Sequence, residues 1–232
     1  MPLFSVFIAS EGGHALFNIG AFAVNSYMTT MVAITIVIAV LGILAGRNIK
    51  TVPSGLQNVA EALLEMLDNF LTSLMGPKGA RQYGPLLGTF FIFILFCNYS
   101  GLLPMSGHLP GLAAPTSTLS VTAGLAIIVF FCTHAFGIKE HGIHYFGHFL
   151  KPVAFMLPLM LIEELVRPLS LSLRLYGNIF GEETVTAQIF GLVPLGVPIV
   201  MQALSVLMGL VQAGVFMILA AVYISGATGE SH

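Results

Sequence analysis

Residues 27–46, YMTTMVAITIVIAVLGILAG, run for twenty positions without a charge. Twenty residues of α-helix are what it takes to cross a hydrocarbon core of about 30 Å. Inside lipid every backbone amide must find its partner within the protein, which makes a helix of such a run. Comparable runs follow at 85–104 (PLLGTFFIFILFCNYSGLLP) and 118–137 (TLSVTAGLAIIVFFCTHAFG). The chain has 232 residues, 56% of them hydrophobic and 8% charged, against about 25% charged in a soluble domain. The expected fold is therefore an all-α polytopic membrane protein forming one domain over 1–232, with no room for a separate soluble domain.

Between these runs the pattern changes. Residues 1–26 are interrupted by Glu11, Gly12, Gly13, His14 and Gly20, and read as an outer tail with room for a short interfacial helix. They lack the basic start and the long apolar core of a signal peptide. Over 54–76, Leu56, Val59, Leu63, Leu67, Phe70 and Leu74 recur at helical spacing while Glu61, Glu65 and Asp68 gather on another face. That is an amphipathic helix, placed on the membrane surface or against a soluble partner. Ser54 and Gln57 make a capping box at its start, and Gly76-Pro77 stops it.

Two later apolar segments, 152–190 and 194–226, are longer than a membrane is thick. From Pro152 to Pro194 the chain would extend about 60 Å as a helix, twice the hydrocarbon thickness. Such a segment breaks into a hairpin of short helices or tilts steeply. Two overlong neighbours suggest a strongly tilted antiparallel pair, giving about five membrane segments plus the surface helix. Six of the eight Lys and Arg residues, Arg47, Lys50, Lys78, Arg81, Lys139 and Lys151, fall in loops that the span count puts on one side. The positive-inside rule makes that side cytoplasmic, with the N-terminus outside and the C-terminus cytoplasmic.

The other two basic residues, Arg167 and Arg174, lie in the first overlong segment. Arg174 cannot be deprotonated, and an arginine at mid-bilayer costs about 2.5–3.5 kcal/mol on insertion scales. At 100° per residue, Glu163, Arg167, Arg174 and Asn178 fall within about 60° of one another, Glu164 and Glu182 lie about 80° from Arg174, and Glu183 points to the opposite side. Arg174 has Ser170 and Asn178, not carboxylates, at i−4 and i+4. Its negative partner is expected from another helix or another chain. An arginine can attract or repel charge but cannot relay a proton, whereas the glutamates can.

Each of these residues also has a plainer reading. Arg174 could sit in a structural ion pair, and Glu163, Glu164 and Arg167 could snorkel to the interface. On the last segment Ser205, Gln212 and Tyr223 share one stripe within about 40°. Gln212 could be packing glue, or could face Arg174 or Asn178 across the pair. His141, His144 and His148 are spaced too loosely for a metal site and read as solvated. Cys97 and Cys132 read as small buried hydrophobes. No phosphate loop, catalytic triad, nucleic-acid patch or cofactor motif is present, and no 20–50-residue repeat supports an inverted-repeat transporter.

The segments PLSLSLRLYGNIFGEE at 168–183 and LVQAGVFMILAAVYIS at 210–225 closely resemble subunit a of the rotary proton-driven ATP synthase. So do VPSGLQNVAEALLEML, GPKGARQY and GIKEHG, which spread the resemblance over most of the chain. It implies a stator subunit of a bacterial cytoplasmic membrane, with no cofactor and no enzymatic activity alone. Its implied partners are a ring of c subunits, the peripheral-stalk subunit b, the assembled ATP synthase and lipid. Arg174 would face a carboxylate on each passing c subunit and block direct leak between two offset half-channels. Asn178, Glu183 and Gln212 fall on the family's polar half-channel positions. Ser205 stands where relatives carry a His or an acid, and Thr118 and Ser120 where they often carry Asp or Asn. Those departures shift weight onto Glu182 and Glu183, while Glu163, Glu164, Thr118 and Ser120 remain candidates for access or exit. Proton is the expected coupling ion. The competing expectations are a self-contained proton-coupled transporter, with Arg174 binding an anionic substrate, and a non-transporting membrane scaffold.

Overall fold

The computed structural model describes residues 15–19, 22–47, 55–103, 113–142, 157–192 and 197–229. Within them lie five helices: α1 (Ser26–Gly46), α2 (Leu56–Ser100), α3 (Leu119–His141), α4 (Leu157–Leu192) and α5 (Val197–Thr228). α1 follows an antiparallel ribbon of β1 (Ala15–Ile19) and β2 (Phe22–Asn25), and a 3₁₀ turn, Pro115–Ser117, leads into α3. The chain is an all-α polytopic membrane protein with that one small ribbon. The ribbon stands where sequence allowed a short interfacial helix: strand pairing satisfies the backbone groups of a segment whose glycines make it a poor helix.

By length and composition, α1, most of α2, α3 and most of α5 can each cross a membrane. α4 is the remaining helix, and it carries six charged side chains. On α1 only Thr30 and Ile34 are buried, while Val32 and Ile43 are 59% and 67% exposed. In water that exposure would be unfavourable; in lipid it is neutral, because acyl chains are as apolar as the side chains.

The start of α2 differs from a free surface helix. Gly76 adopts φ 74°, ψ 167°, a backbone open to glycine and strained for other residues, and the chain folds back there. Leu71 then lies 3.7 Å from where a Cβ on Gly84 would stand, and Leu67 the same distance from one on Gly88. The stripe turned inward is Leu67, Leu71 and Met75, whereas Val59 and Phe70, assigned to the apolar face from sequence, are exposed. Glu61, Glu65 and Asp68 stay exposed. Ser54 of the expected capping box lies outside the described residues, and Gln57 Nε2 instead donates to Glu61 Oε1 at 2.7 Å.

The core is assembled from one stripe of each inner helix. Tyr83, Leu87, Ile94 and Cys97 on α2 are fully buried against Ala213, Phe216 and Ala220 on α5, with the Phe90 and Phe216 rings 5.9 Å apart. Leu171 and Leu175 of α4, and Ala126 and Val129 of α3, complete it. α4 is one continuous helix through Pro168. It and α5 have 36 and 32 residues, about 54 and 48 Å at 1.5 Å per residue. Lengths well beyond a hydrocarbon core require inclination or ends that leave the lipid. The pair is antiparallel. Arg167 meets Tyr223, and eleven residues onward on α4 and eleven back on α5, Asn178 meets Gln212.

Candidate functional site

α4 arranges its charges in three tiers. In the middle tier, Arg174 is exposed and forms no ion pair or hydrogen bond among the described residues. On its uncovered side α4 also carries an apolar stripe, Leu169, Leu173 and Phe180, which are 56%, 45% and 44% exposed and lie about 100–140° around the helix from Arg174. Leu171 and Leu175, about 60–100° from Arg174 in the other direction, are buried in the core. The guanidinium thus stands at the edge of the buried face, between the core and the exposed apolar stripe. Four residues on, Asn178 Nδ2 donates to Gln212 Oε1 at 2.7 Å. Gln212 is 3% exposed, and its Nε2 has no hydrogen-bond partner among the described residues. A buried amide donor left open is costly unless water or another group completes it.

The second tier lies toward the end of α4 that meets the 3₁₀ turn. A Cβ placed on Gly101 would stand 3.2 Å from Glu183 Oε1 and 3.0 Å from the Ala114 Cβ, so glycine there makes room for the carboxylate. Ser117 lies in the turn beside it, its hydroxyl donating to the Ala114 carbonyl at 2.9 Å. Glu183 otherwise remains exposed beyond the chain's own atoms. Glu182 Oε1 and Thr186 Oγ1, one turn apart on α4, are buried without hydrogen-bond partners among the described residues, as is Thr116 Oγ1 in the turn. Nearby, Asn98 Nδ2 donates to the Gly209 carbonyl at 2.9 Å and the Tyr99 hydroxyl to the Val206 carbonyl at 3.1 Å. Gly209 permits that approach, since a Cβ there would meet the Tyr99 ring at 3.2 Å.

The third tier sits toward the opposite end, near the close of α3 and α5. Arg167 is clamped by Glu163 and Glu164, each at 2.7 Å, and its guanidinium carbon lies 5.5 Å from the centre of the Tyr223 ring. The second oxygen of Glu164 is 3.7 Å from His134 Nε2 on α3.

The sequence candidates are thus distributed rather than gathered. Asn178 and Gln212 meet directly. Glu182 and Glu183 lie in the second tier, Glu163 and Glu164 in the third, with Arg174 between. Ser205 is buried and its hydroxyl bonds the Met201 carbonyl of its own helix at 2.9 Å. Thr118 is likewise turned to its own backbone, donating to the Pro115 carbonyl at 2.8 Å, and Ser120 is exposed. Sequence reasoning passed over Ser117, Gly101 and His134. Ser117 follows from the Pro115 turn that redirects the chain, Gly101 from a contact across 82 positions with Glu183, and His134 sits within an apolar run that gave no periodic signal. His144 and His148 lie outside the described residues. Among the described residues no group of three His, Cys, Asp or Glu could hold a metal.

Residues 27–225 match the family described as ATP synthase A chain. Curated relatives include ATP synthase subunit a of Trichlorobacter lovleyi, 40% identical over 99% of this chain and 98% of the relative. ATP synthase subunit a of Geobacter sulfurreducens is 41% identical over 86% of each chain. ATP synthase subunit a 2 of Syntrophotalea carbinolica is 44% identical over 88% of this chain and 85% of the relative.

Proposed function

This chain belongs to the ATP synthase A chain family, a membrane component of the ATP synthase complex, and from that premise we propose that it is the stationary half of a proton-driven rotor, with Arg174 as its electrostatic gate. The observation that carries this reading is the exposed guanidinium of Arg174, without a partner among the described residues, at the edge of an exposed apolar stripe of α4. Such a charge has no reason to face lipid, where no counter-charge exists. Facing a ring of c subunits, it meets a carboxylate on each one in turn. The pair favours the ionised carboxylate at the interface, so a proton must leave before that subunit passes. Arg174 itself cannot carry the proton across, because it does not release one.

The two outer tiers then serve as offset half-channels. On one side Glu183, seated beside Gly101 and Ser117, and Glu182 with Thr186 offer carboxylates and open hydroxyl oxygens that order water and exchange protons. On the other, Glu163 and Glu164 provide the opposite access. Asn178 and Gln212 lie between, with an open amide donor beside the gate. The offset makes rotation the connecting step. A proton crossing about 100 mV releases roughly 2.3 kcal/mol, so several must cross per ATP and a leak past Arg174 would waste them. By the charge asymmetry of its loops the chain is oriented with Lys78, Arg81 and Lys139 cytoplasmic, which makes the Glu183 tier the outer one.

The test is Arg174→Ala in the assembled complex. Loss of proton-coupled ATP synthesis with the complex intact is expected; full coupling would overturn the gate.

A further inference from the structure

From the inner tier we infer that His134 is a proton-exchange group of this subunit, taking over from Glu164 and passing protons to and from the water at the basic end of the bundle. The inference rests on the rotor reading above and adds to it a residue on a different helix, which none of the polar positions of α4 and α5 suggests.

The geometry sets Glu164 apart from an ordinary salt-bridge partner. One carboxylate oxygen accepts from Arg167 at 2.7 Å, while the other faces His134 Nε2 at 3.7 Å. That separation exceeds a hydrogen bond and suits either a small side-chain movement or one bridging water. A cleft lined by Phe130, Thr133, Glu164, Arg167, Pro168 and Tyr223 opens beside the pair, with space for about one water. Imidazole is the side chain best suited to gaining and losing a proton near neutral pH. Its ring is set by Phe130, edge-on at 4.3 Å between centroids. His134 and Glu164 are 22% and 17% exposed, half-sealed where Glu163 at 61% is open.

From α4, Glu164 faces His134, with Arg167 and Glu163 beyond it, and Tyr223 of α5 lies against the Arg167 guanidinium. Arg167 is a positioning residue here. Held by two carboxylates and an aromatic ring, it fixes one oxygen of Glu164 and aims the other at α3. In the step itself the Glu164 carboxyl O–H breaks, Nε2 gains that proton, and carboxylate and imidazolium result. The imidazolium then releases one proton to water and returns to neutral imidazole. Run backwards, the same step takes protons up, and no electrons change hands.

The experiment measures ATP-driven proton pumping in inverted membrane vesicles holding the complete complex, normalised to the amount of assembled complex, over a range of pH on the His134 side. His134→Gln should lower pumping on the order of tenfold, less than the hundredfold or more of a group that water cannot replace, and should flatten its pH profile. Added imidazole should restore part of the pumping of His134→Ala, which a packing role would not allow. Glu164→Gln should match His134→Gln, and the double variant should be no worse than either. Normal pumping with an unchanged profile in His134→Gln, or an absence of imidazole rescue, overturns the inference. Arg174→Ala in the same vesicles separates the two levels: if it still pumps, the rotor reading fails; if it is dead while His134→Gln is normal, only the relay fails.

Discussion

Arg167 and Arg174 stand on one helix, two turns apart, in opposite circumstances. Arg167 is held at 2.7 Å by each of two carboxylates and covered by the Tyr223 ring. Arg174 is exposed, with no partner among the described residues. The same side chain, equally costly in lipid, is neutralised within the chain in one place and left open in the other. A bundle able to supply a carboxylate clamp for one arginine could supply another. On the proposed rotor reading the counter-charge of Arg174 comes from a different molecule, and Arg167 is the internal control.

The strongest break in that comparison comes from exchanging effects. Arg174→Ala should abolish proton-coupled ATP synthesis while leaving the amount and detergent stability of the subunit near wild type, because no internal contact is lost. Arg167→Ala should act first on stability, with a loss of transport no larger than that of Glu164→Gln. It leaves Glu163 and Glu164 without their cation and should cost about 1–3 kcal/mol, below the 3–5 of a fully buried pair because Glu163 is largely exposed. A lower melting temperature of the complex and a smaller assembled yield would report it. If Arg167→Ala is stable and Arg174→Ala unfolds, the two roles have been assigned the wrong way round.

Smaller changes sharpen the contrast between tiers. Gly101→Ala inserts a methyl 3.0 Å from the Ala114 Cβ and 3.2 Å from Glu183 Oε1, an overpacking expected to cost about 1–2 kcal/mol. Proton transport should fall several-fold as the carboxylate is displaced, and Gly101→Ala with Glu183→Asp should recover part of it by shortening the crowded side chain. Least is expected from Asn178→Leu. Its bond to Gln212 is worth about 0.6 kcal/mol by the average of interhelical pairs in membranes. A double-mutant cycle with Gln212→Leu measures it; coupling near zero would show that the 2.7 Å contact does not hold the pair together.

Much of the architecture was legible because lipid enforces a simple code. Uncharged runs of helical length marked α1 and α3, and excessive length marked α4 and α5 as a pair. Arg174 stood out because nothing in apolar packing calls for a fixed charge. The turn at Gly76 was legible as a stop, but not that α2 folds back to seat Leu67 and Leu71 against Gly84 and Gly88. That contact depends on a positive φ and on two glycines that look like ordinary span residues. For the same reason sequence put Val59 and Phe70 on one apolar face with Leu67, without separating the residues that stay exposed from those the fold buries. Ser117, Gly101 and His134 were hidden differently. Each matters through a neighbour on another element, and no periodicity within one helix encodes that pairing.

The central claim concerns what Arg174 faces, and cysteine cross-linking between this chain and the c subunits tests it most directly. Single cysteines along α4, in the assembled complex, would each be paired with a cysteine next to the c-subunit carboxylate. The account predicts disulfides at the exposed positions Leu169, Leu173 and Phe180, on the uncovered side of the helix that carries Arg174, and none at the buried positions Leu171 and Leu175. Cross-links absent from the exposed stripe, while cysteines on α1 or α3 capture the ring, would contradict it.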